Sequence, residues 1–231
     1  MSKSWPLRLF VHVTIVNDLL IASNQKSATV VMLLDLSAAV DTFDHKLLGI
    51  LENEIGITGM AFKWFNGFLT GHCQKVKLGE YESVEIIIKF GVPQGSVPGP
   101  IPSNVYIRSI YSSVTSRKFS IYGYADDNQI YKSFPVNSEY RVLCEELSLC
   151  FKDIETWMAK HYLMLNPDKT EIIIFGNRQV LSDLRINGVS INSSICVRLV
   201  SETKNLGFIL DSRLTLNTQI RKLKAANSRY V

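Results

Sequence analysis

The chain has 231 residues, 46% of them apolar, which is enough to bury a core without disulfides or a structural metal. Its 25 Lys and Arg against 21 Asp and Glu give a formal charge of +4, which permits a polyanionic partner without requiring one. The four cysteines form no CxxC pair and no apolar run reaches the length of a membrane span, so a soluble, intracellular protein with no zinc site and no membrane partner is expected.

The first predicted elements along the chain are a strand and two helices. Residues 30–36 are apolar except for Asp35, as in a central strand that is covered on both faces. The carboxylate is therefore the anomaly of this strand. Helices are predicted at 45–55 and from 58 or 59 to 69, and a glycine follows each of them as a stop signal.

A hairpin and an ordered loop are predicted next. Residues 75–78 and 84–90 have the composition of strands, and the polar residues between them indicate a long hairpin. The segment 91–100 contains too much Gly and Pro for a helix or a strand, so it should be a structured loop. This loop should lead into a helix around 103–113.

A short acidic hairpin and a long helix follow in the sequence. Strands at 120–124 and 129–132 flank a tight turn that contains Asp126 and Asp127. Over 140–162, apolar residues recur at spacings of three and four. This pattern is the clearest indication of an amphipathic helix in the chain.

The rest of the sequence predicts a turn and two further strands. A turn at 166–169 precedes a strand at 171–175, and a further strand is predicted at 204–210. Strands, helices and hairpins are interspersed along the chain, so we expect an α+β fold with an antiparallel sheet packed on helices. The sequence contains no internal repeat.

Three carboxylates have the placement that nucleotidyl transfer to a 3′-hydroxyl requires. Asp35 ends a buried strand, and Asp126 with Asp127 occupies a hairpin turn. Two Mg2+ ions about 3.5–4 Å apart can activate the attacking oxygen and neutralise the leaving pyrophosphate, and Mg2+ prefers hard oxygen ligands. For an isolated Asp-Asp pair, a polar turn without catalytic function is the commoner meaning.

Five motifs occur in the order found in reverse transcriptases of LINE-type (non-LTR) retrotransposons. They are LLDLSAA at 33–39, GVPQGS at 91–96, YADD at 124–127, LNPDKTE at 165–171 and LGFILD at 206–211. The resemblance covers about residues 16–220, and the ordered set is far more specific than any one motif. It implies a polymerase palm that copies an RNA template onto a DNA primer from deoxynucleoside triphosphates, using two Mg2+ ions that Mn2+ can replace.

The resemblance also implies roles for particular residues in the chemistry. Asp35, Asp126 and Asp127 match the metal-binding catalytic triad, with the backbone carbonyl of Leu36 as a further ligand. Lys169 matches a lysine that lies near the triphosphate and can protonate pyrophosphate. From the sequence alone, a solvated turn lysine explains Lys169 equally well.

Other positions match family residues that contact nucleic acid. Gln94 and Gly95 match a loop that contacts the template and the incoming nucleotide, whereas a loop that merely starts a helix explains the glycine but not Gln94. Val40 stands where the family usually has an aromatic residue that excludes the ribose 2′-hydroxyl, so discrimination against ribonucleotides should be weaker. Leu206 and Gly207 match the hairpin that grips the primer end, and a plain strand is the alternative interpretation.

The chain is expected to be a truncated copy of such a polymerase. Residues 1–28 are assigned to a remnant of the fingers or a lead-in, 29–205 to the palm, and 206–231 to a primer-grip-like strand and the start of a missing thumb. The leading hypothesis is an RNA-directed DNA polymerase palm with incomplete fingers and weak or no isolated activity. The alternatives are a non-catalytic remnant that binds nucleic acid or a protein partner, and a palm-type cyclase, which the Gln94 loop disfavours.

Overall fold

The computed structural model describes residues 5–35, 47–53, 55–88, 108, 110–124, 127–135, 140–160, 169–183, 188–190 and 196–227. The helices are α1 (Trp5–Asn24), α2 (Leu47–Asn53), α3 (Gly59–Leu69), α4 (110–116), α5 (Tyr140–Lys160), α6 (Arg178–Asp183) and α7 (Asn217–Asn227). The strands are β1 (Ser27–Asp35), β2 (Cys73–Gln74), β3 (Lys77–Leu78), β4 (Tyr81–Glu82), β5 (Ile86–Ile87), β6 (Ser120–Tyr124), β7 (Asp127–Pro135), β8 (Glu171–Phe175), β9 (Gly188–Ser190), β10 (Cys196–Val200), β11 (Glu202–Asn205) and β12 (Phe208–Asp211).

The main sheet of the described residues has six strands, in the order β6, β7, β1, β8, β10 and β9. Neighbouring strands are antiparallel except for β8 and β10, which are parallel. Strand β1 lies between β7 and β8 and pairs with both. A largely antiparallel sheet packed on helices confirms the predicted α+β class.

The central strand β1 is buried on both faces, as its nearly unbroken apolar run predicts. Ala28, Val30 and Met32 belong to a large hydrophobic cluster on one face, and Val31 belongs to a smaller cluster on the other. All four side chains are at most 2% exposed. Asp35 is the last residue of this strand, which places it at one end of the sheet.

Helix α5 covers the first face of the sheet. Its buried side chains recur at spacings of three and four and include Leu147, Phe151, Ile154 and Trp157. This confirms the amphipathic helix predicted from the sequence, which the structure describes as far as Lys160. Helices α2, α3 and α4 add residues to the same cluster, and they confirm the other predicted helices within the described parts of the chain.

Helix α1 covers part of the second face. Val11, Ile15 and Leu19 are buried there against Val31 and Tyr131. The sequence analysis assigned this region to a lead-in and did not predict the helix. Apolar residues also lie on the exposed side of α1, so the helical period of its sequence is blurred.

The first hairpin outside the main sheet is built from four very short strands. Strand β2 pairs with β5 and β3 with β4, so the long hairpin predicted from 75–78 and 84–90 forms, but its ladder is interrupted. Its large apolar side chains are mostly exposed, including Leu78, Tyr81 and Ile86. Such exposed positions contribute little to the core.

The second hairpin outside the main sheet, called the second hairpin below, joins β11 to β12 and packs on the second face of the sheet. Asn205 pairs with Phe208, and the chain reverses at Leu206 and Gly207. The prediction of one continuous strand at 204–210 is therefore wrong. A two-residue turn with positive φ angles interrupts the run of strand-forming residues.

No helix in the described ranges is both long enough and apolar enough to cross a membrane. The division of the chain at residues 28 and 205 into fingers remnant, palm and thumb stays a prediction. Strand β1 begins at Ser27, and the second hairpin spans Glu202–Asp211.

Candidate functional site

Two of the three predicted carboxylate positions lie opposite each other in the sheet. Asp35 ends β1, Asp127 begins β7, and the two residues are directly paired in the antiparallel ladder. The next pair on the same face is Leu33 with Gln129, because side chains alternate between faces along a strand. The apolar pairing of β1 with β7 thus brings the two acidic positions together.

The hairpin that carries the Asp-Asp pair closes as the sequence predicts. Tyr124 pairs with Asp127, so residues 125 and 126 make a two-residue connection between β6 and β7. Asp127 is exposed and belongs to the strand, one residue beyond the connection. The connection itself, with Asp126, lies outside the described residues.

A polar cleft of about 170 Å3 opens beside Asp127. Its walls come from the ends of β1 and β7, the turn before β8, and the second hairpin. Lys169 and Leu206 line the cleft together with Asp127. The fold therefore gathers three predicted site residues that are far apart in the sequence.

The cleft carries charges of both signs. Asp127 and Glu171 contribute carboxylates, and Lys169 and Lys204 contribute ammonium groups. Lysines beside carboxylates suit a ligand that brings phosphate groups together with cations. Both lysines are exposed to solvent.

Five of the predicted site residues fall outside the described residues: Leu36, Val40, Gln94, Gly95 and Asp126. Their roles stay predictions. Within the ranges that the structure describes, no group of three His, Cys, Asp or Glu residues is placed to hold a metal ion. Because Asp126 is outside those ranges, the predicted triad is not tested by that result.

The turn of the second hairpin is strained at one residue. Leu206 has a φ of 48° and Gly207 a φ of 94°, as in a type I′ turn, where Asn-Gly is the preferred pair. A left-handed conformation costs a residue with a Cβ about 1–2 kcal/mol. Strain of this kind is often found at functional sites, and here the strained residue lines the cleft.

Side chains attach the second hairpin to the sheet at two points. The Gln129 Nε2 atom donates a hydrogen bond to Asn205 Oδ1 at 2.7 Å. The Thr203 hydroxyl donates to Glu171 Oε2 at 2.5 Å. The hairpin is therefore tied to β7 and to β8, the two strands that flank β1.

The sequence analysis missed Gln129, Glu171, Lys204 and Asn205 as part of this cleft. A usable signal was present in β11, where exposed and buried residues alternate and the buried ones, Thr203 and Asn205, are polar. Buried polar side chains on one face of a strand indicate specific partners. The identity of those partners depends on the tertiary structure.

Comparisons with known proteins agree with the motifs. A family model described as "Reverse transcriptase (RNA-dependent DNA polymerase)" matches residues 5–210. The RNA-directed DNA polymerase from mobile element jockey of Drosophila melanogaster is 28% identical over 218 residues, 92% of this chain and 23% of that protein. The probable RNA-directed DNA polymerase from transposon BS of the same species is 29% identical over 155 residues, 63% of this chain and 16% of that protein.

The chain spans less than a quarter of the length of these relatives. Among solved structures, apo telomerase from Candida tropicalis, truncated from the C-terminal domain, is similar with a TM-score of 0.61 and 15% identity. The similarity covers 94% of this chain and 40% of that chain. At this identity it shows the fold alone, and it confirms the predicted polymerase palm.

The match to the family model extends over most of the chain, from α1 to β12. It includes both strands of the Asp35–Asp127 pair, the turn before β8 and the second hairpin. The curated relatives are polymerases of mobile elements, in agreement with the resemblance to LINE-type retrotransposons. The chain therefore belongs to the reverse transcriptase (RNA-dependent DNA polymerase) family.

Proposed function

We propose that this chain is the palm of an RNA-directed DNA polymerase derived from a LINE-type retrotransposon. It would add deoxynucleotides to the 3′-hydroxyl of a DNA primer on an RNA template. This proposal rests on the direct pairing of Asp35 with Asp127 at the edge of a cleft lined by two lysines. The family and the palm fold supply its context.

Reverse transcriptases generally use divalent metal ions, and carboxylate and carbonyl oxygens are ligands that Mg2+ prefers. Directly opposite residues in an antiparallel ladder have Cβ atoms about 4.5–5.5 Å apart, close enough for two carboxylates to share an ion. Asp35, Asp126, Asp127 and the backbone carbonyl of Leu36 would hold two Mg2+ ions, for which Mn2+ can substitute. When bound, such ions lower the pKa of the attacking hydroxyl and neutralise charge on the leaving pyrophosphate.

The residues of the cleft would divide the remaining tasks. Lys169 would lie beside the triphosphate and give a proton to the departing pyrophosphate. Lys204, which lines the same cleft, would attract the same anionic groups. Leu206 and Gly207 would support the primer end, because the turn that they form lies on the same cleft as Asp127.

Three predicted contacts complete the proposal. Gln94 and Gly95 would contact the template and the incoming nucleotide, where a glycine lets the backbone approach a base pair closely. Val40 would leave room for a ribose 2′-hydroxyl. Replacing it by Val40→Phe should raise the preference for deoxynucleotides over ribonucleotides, and equal preferences in the two proteins would contradict this role.

The proposal is tested by primer extension on an RNA template with Mg2+. The chain and its Asp126→Ala variant should be compared, and a sample without divalent cations provides a second control. We expect extension by the unaltered chain only, and only with the cation. Equal background in all three samples would reject catalysis and leave nucleic-acid binding by a non-catalytic family member.

A further inference from the structure

The second hairpin crosses the main sheet at one row of laterally paired residues, Gln129, Leu33 and Glu171. Leu33 of β1 pairs with Gln129 on one side and with Glu171 on the other. These two flanking residues hold Asn205 and Thr203 of β11 through their side chains. Strand β11 therefore lies over β1 at Leu33, with one attachment on each neighbouring strand.

This row is adjacent to the carboxylate pair. Gln129 is two residues after Asp127 on the same face of β7. Asn205 immediately precedes the turn formed by Leu206 and Gly207. A hydrogen bond of 2.7 Å thus connects the strand of Asp127 with the strand that precedes the turn.

The Gln129–Asn205 bond lies in a desolvated position. Gln129 is 1% exposed and Asn205 is 4% exposed. The side-chain oxygen of Gln129, Oε1, is buried without a hydrogen-bond partner among the described residues. An unsatisfied buried oxygen lowers stability, so an apolar residue of similar size would serve the core better. The amide is better explained by its donor group, which sets the position of Asn205.

We infer that Gln129 and Asn205 are positioning residues of the polymerase site. Their hydrogen bond holds the Leu206–Gly207 turn at a set distance from Asp127, so that the end of a bound primer is aligned with the metal-binding carboxylates. Neither residue needs to touch the substrate for this role. The inference rests on the proposed polymerase function, and the Thr203–Glu171 bond gives the hairpin its second support.

Hydrogen exchange tests the positioning role independently of activity. Gln129→Leu gives an apolar side chain of similar size, removes the donor and leaves Asn205 without this partner. We expect backbone amides of β11 and β12 to exchange about tenfold faster in this variant. If Gln129→Leu does not fold, Asn205→Ala removes the same bond from the hairpin side and provides the same measurement.

The chain offers a matched control on the same strand. Ser133 of β7 shares a hydrogen bond of 2.8 Å with buried Thr29, at the opposite end of the β1–β7 ladder. Ser133→Ala removes this bond but leaves the hairpin attached. Amides of β11 and β12 should keep their exchange rates in Ser133→Ala. Unchanged rates in Gln129→Leu, or equal acceleration in both variants, would overturn the inference.

Primer extension then separates positioning from general loss of structure. A displaced primer end lowers the rate of transfer, so kcat should fall at least about tenfold in Gln129→Leu while the KM for the deoxynucleotide stays within about twofold. Ser133→Ala should keep both constants. Wild-type kcat in Gln129→Leu would overturn the inference. A lack of extension by the unaltered chain would instead contradict the proposed function, and hydrogen exchange would still decide whether the bond holds the hairpin.

Discussion

Asp35 and Asp127 are directly opposite each other in the ladder between β1 and β7. Like charges at directly opposite positions destabilise an antiparallel pair, by roughly 0.2–1 kcal/mol. Both residues end or begin a strand, so an uncharged polar residue would be accommodated at either position. The proposed metal site gives the pairing of two acidic residues a reason that the stability of the strands does not.

Removing the charge of Asp127 should abolish the chemistry and leave the fold intact. We expect Asp127→Asn to keep the free energy of unfolding within about 0.5 kcal/mol of the unaltered chain without divalent cations, because this exposed residue at the start of β7 keeps a polar side chain of the same size. Extension should fall more than about 100-fold, since a proposed metal ligand is lost. Urea unfolding and primer extension measure the two effects. Glu80→Gln, a similar change on the exposed first hairpin, should alter neither, and an Asp127→Asn protein that keeps its extension rate would contradict the proposed role.

The turn at Leu206 and Gly207 should respond to substitution through its backbone conformation. Gly207 has a φ of 94° and nothing within 4 Å of an added Cβ, so Gly207→Ala should lower stability by about 1 kcal/mol through backbone strain alone. Gly67 in α3 also has open space around it, but it is helical and has no positive φ. Gly67→Ala should therefore raise stability by about 0.5–1 kcal/mol. Thermal unfolding of both variants checks the opposite signs, and a stabilised Gly207→Ala protein would show that the turn has a different conformation.

Lys204 should contribute one phosphate contact to nucleic-acid binding. This exposed lysine lines the cleft, and each neutralised phosphate adds about one unit to the slope of log affinity against log salt. We expect Lys204→Ala to reduce that slope by about one for an RNA–DNA primer–template, measured by fluorescence anisotropy. Lys152→Ala removes an exposed charge from α5, on the other face of the sheet, and should leave the slope unchanged. Equal slopes in the two variants would exclude Lys204 from the interface.

The contact between α1 and β7 should make the free energy of unfolding decrease at alkaline pH. Burial, followed by a 2.5 Å hydrogen bond to Asp18 Oδ2 and the negative charge of that carboxylate, raises the pKa of Tyr131 well above its usual value. A raised pKa in the folded state means that this stabilisation is complete below about pH 10 and is lost as the pH rises further.

Tyr131→Phe should be less stable than the unaltered chain at pH 7 by about 1.5–3 kcal/mol, because a hydrogen bond to a charged group is removed. Above pH 10 the stability of this variant should fall less steeply. Urea unfolding from pH 7 to 11 gives both quantities. Tyr81→Phe, at a position that is 83% exposed, should reproduce the unaltered curve, and parallel curves for all three proteins would reject the assignment to Tyr131.

The local part of this fold could be predicted from the sequence. The apolar run ending at Asp35, the two-residue hairpin before Asp127 and the three-and-four spacing in α5 all depend on neighbouring residues only. Helix α1 was missed because its exposed side is also apolar. The residue pattern alone predicted one strand through Leu206, because a leucine rarely occupies a left-handed turn position and the usual Asn-Gly signal is lacking. The hairpin at Leu206 and Gly207 was implied by the resemblance to the family.

By itself, the sequence determined the family, because ordered motifs can be recognised without coordinates, and it predicted the acidic site at Asp35, Asp126 and Asp127. Only the tertiary structure decided how β11 crosses the sheet at Leu33 and that Gln129 holds Asn205. Such contacts depend on the register of strands that are distant in the chain. That register is selected by the packing of both faces of the sheet, which no local pattern encodes.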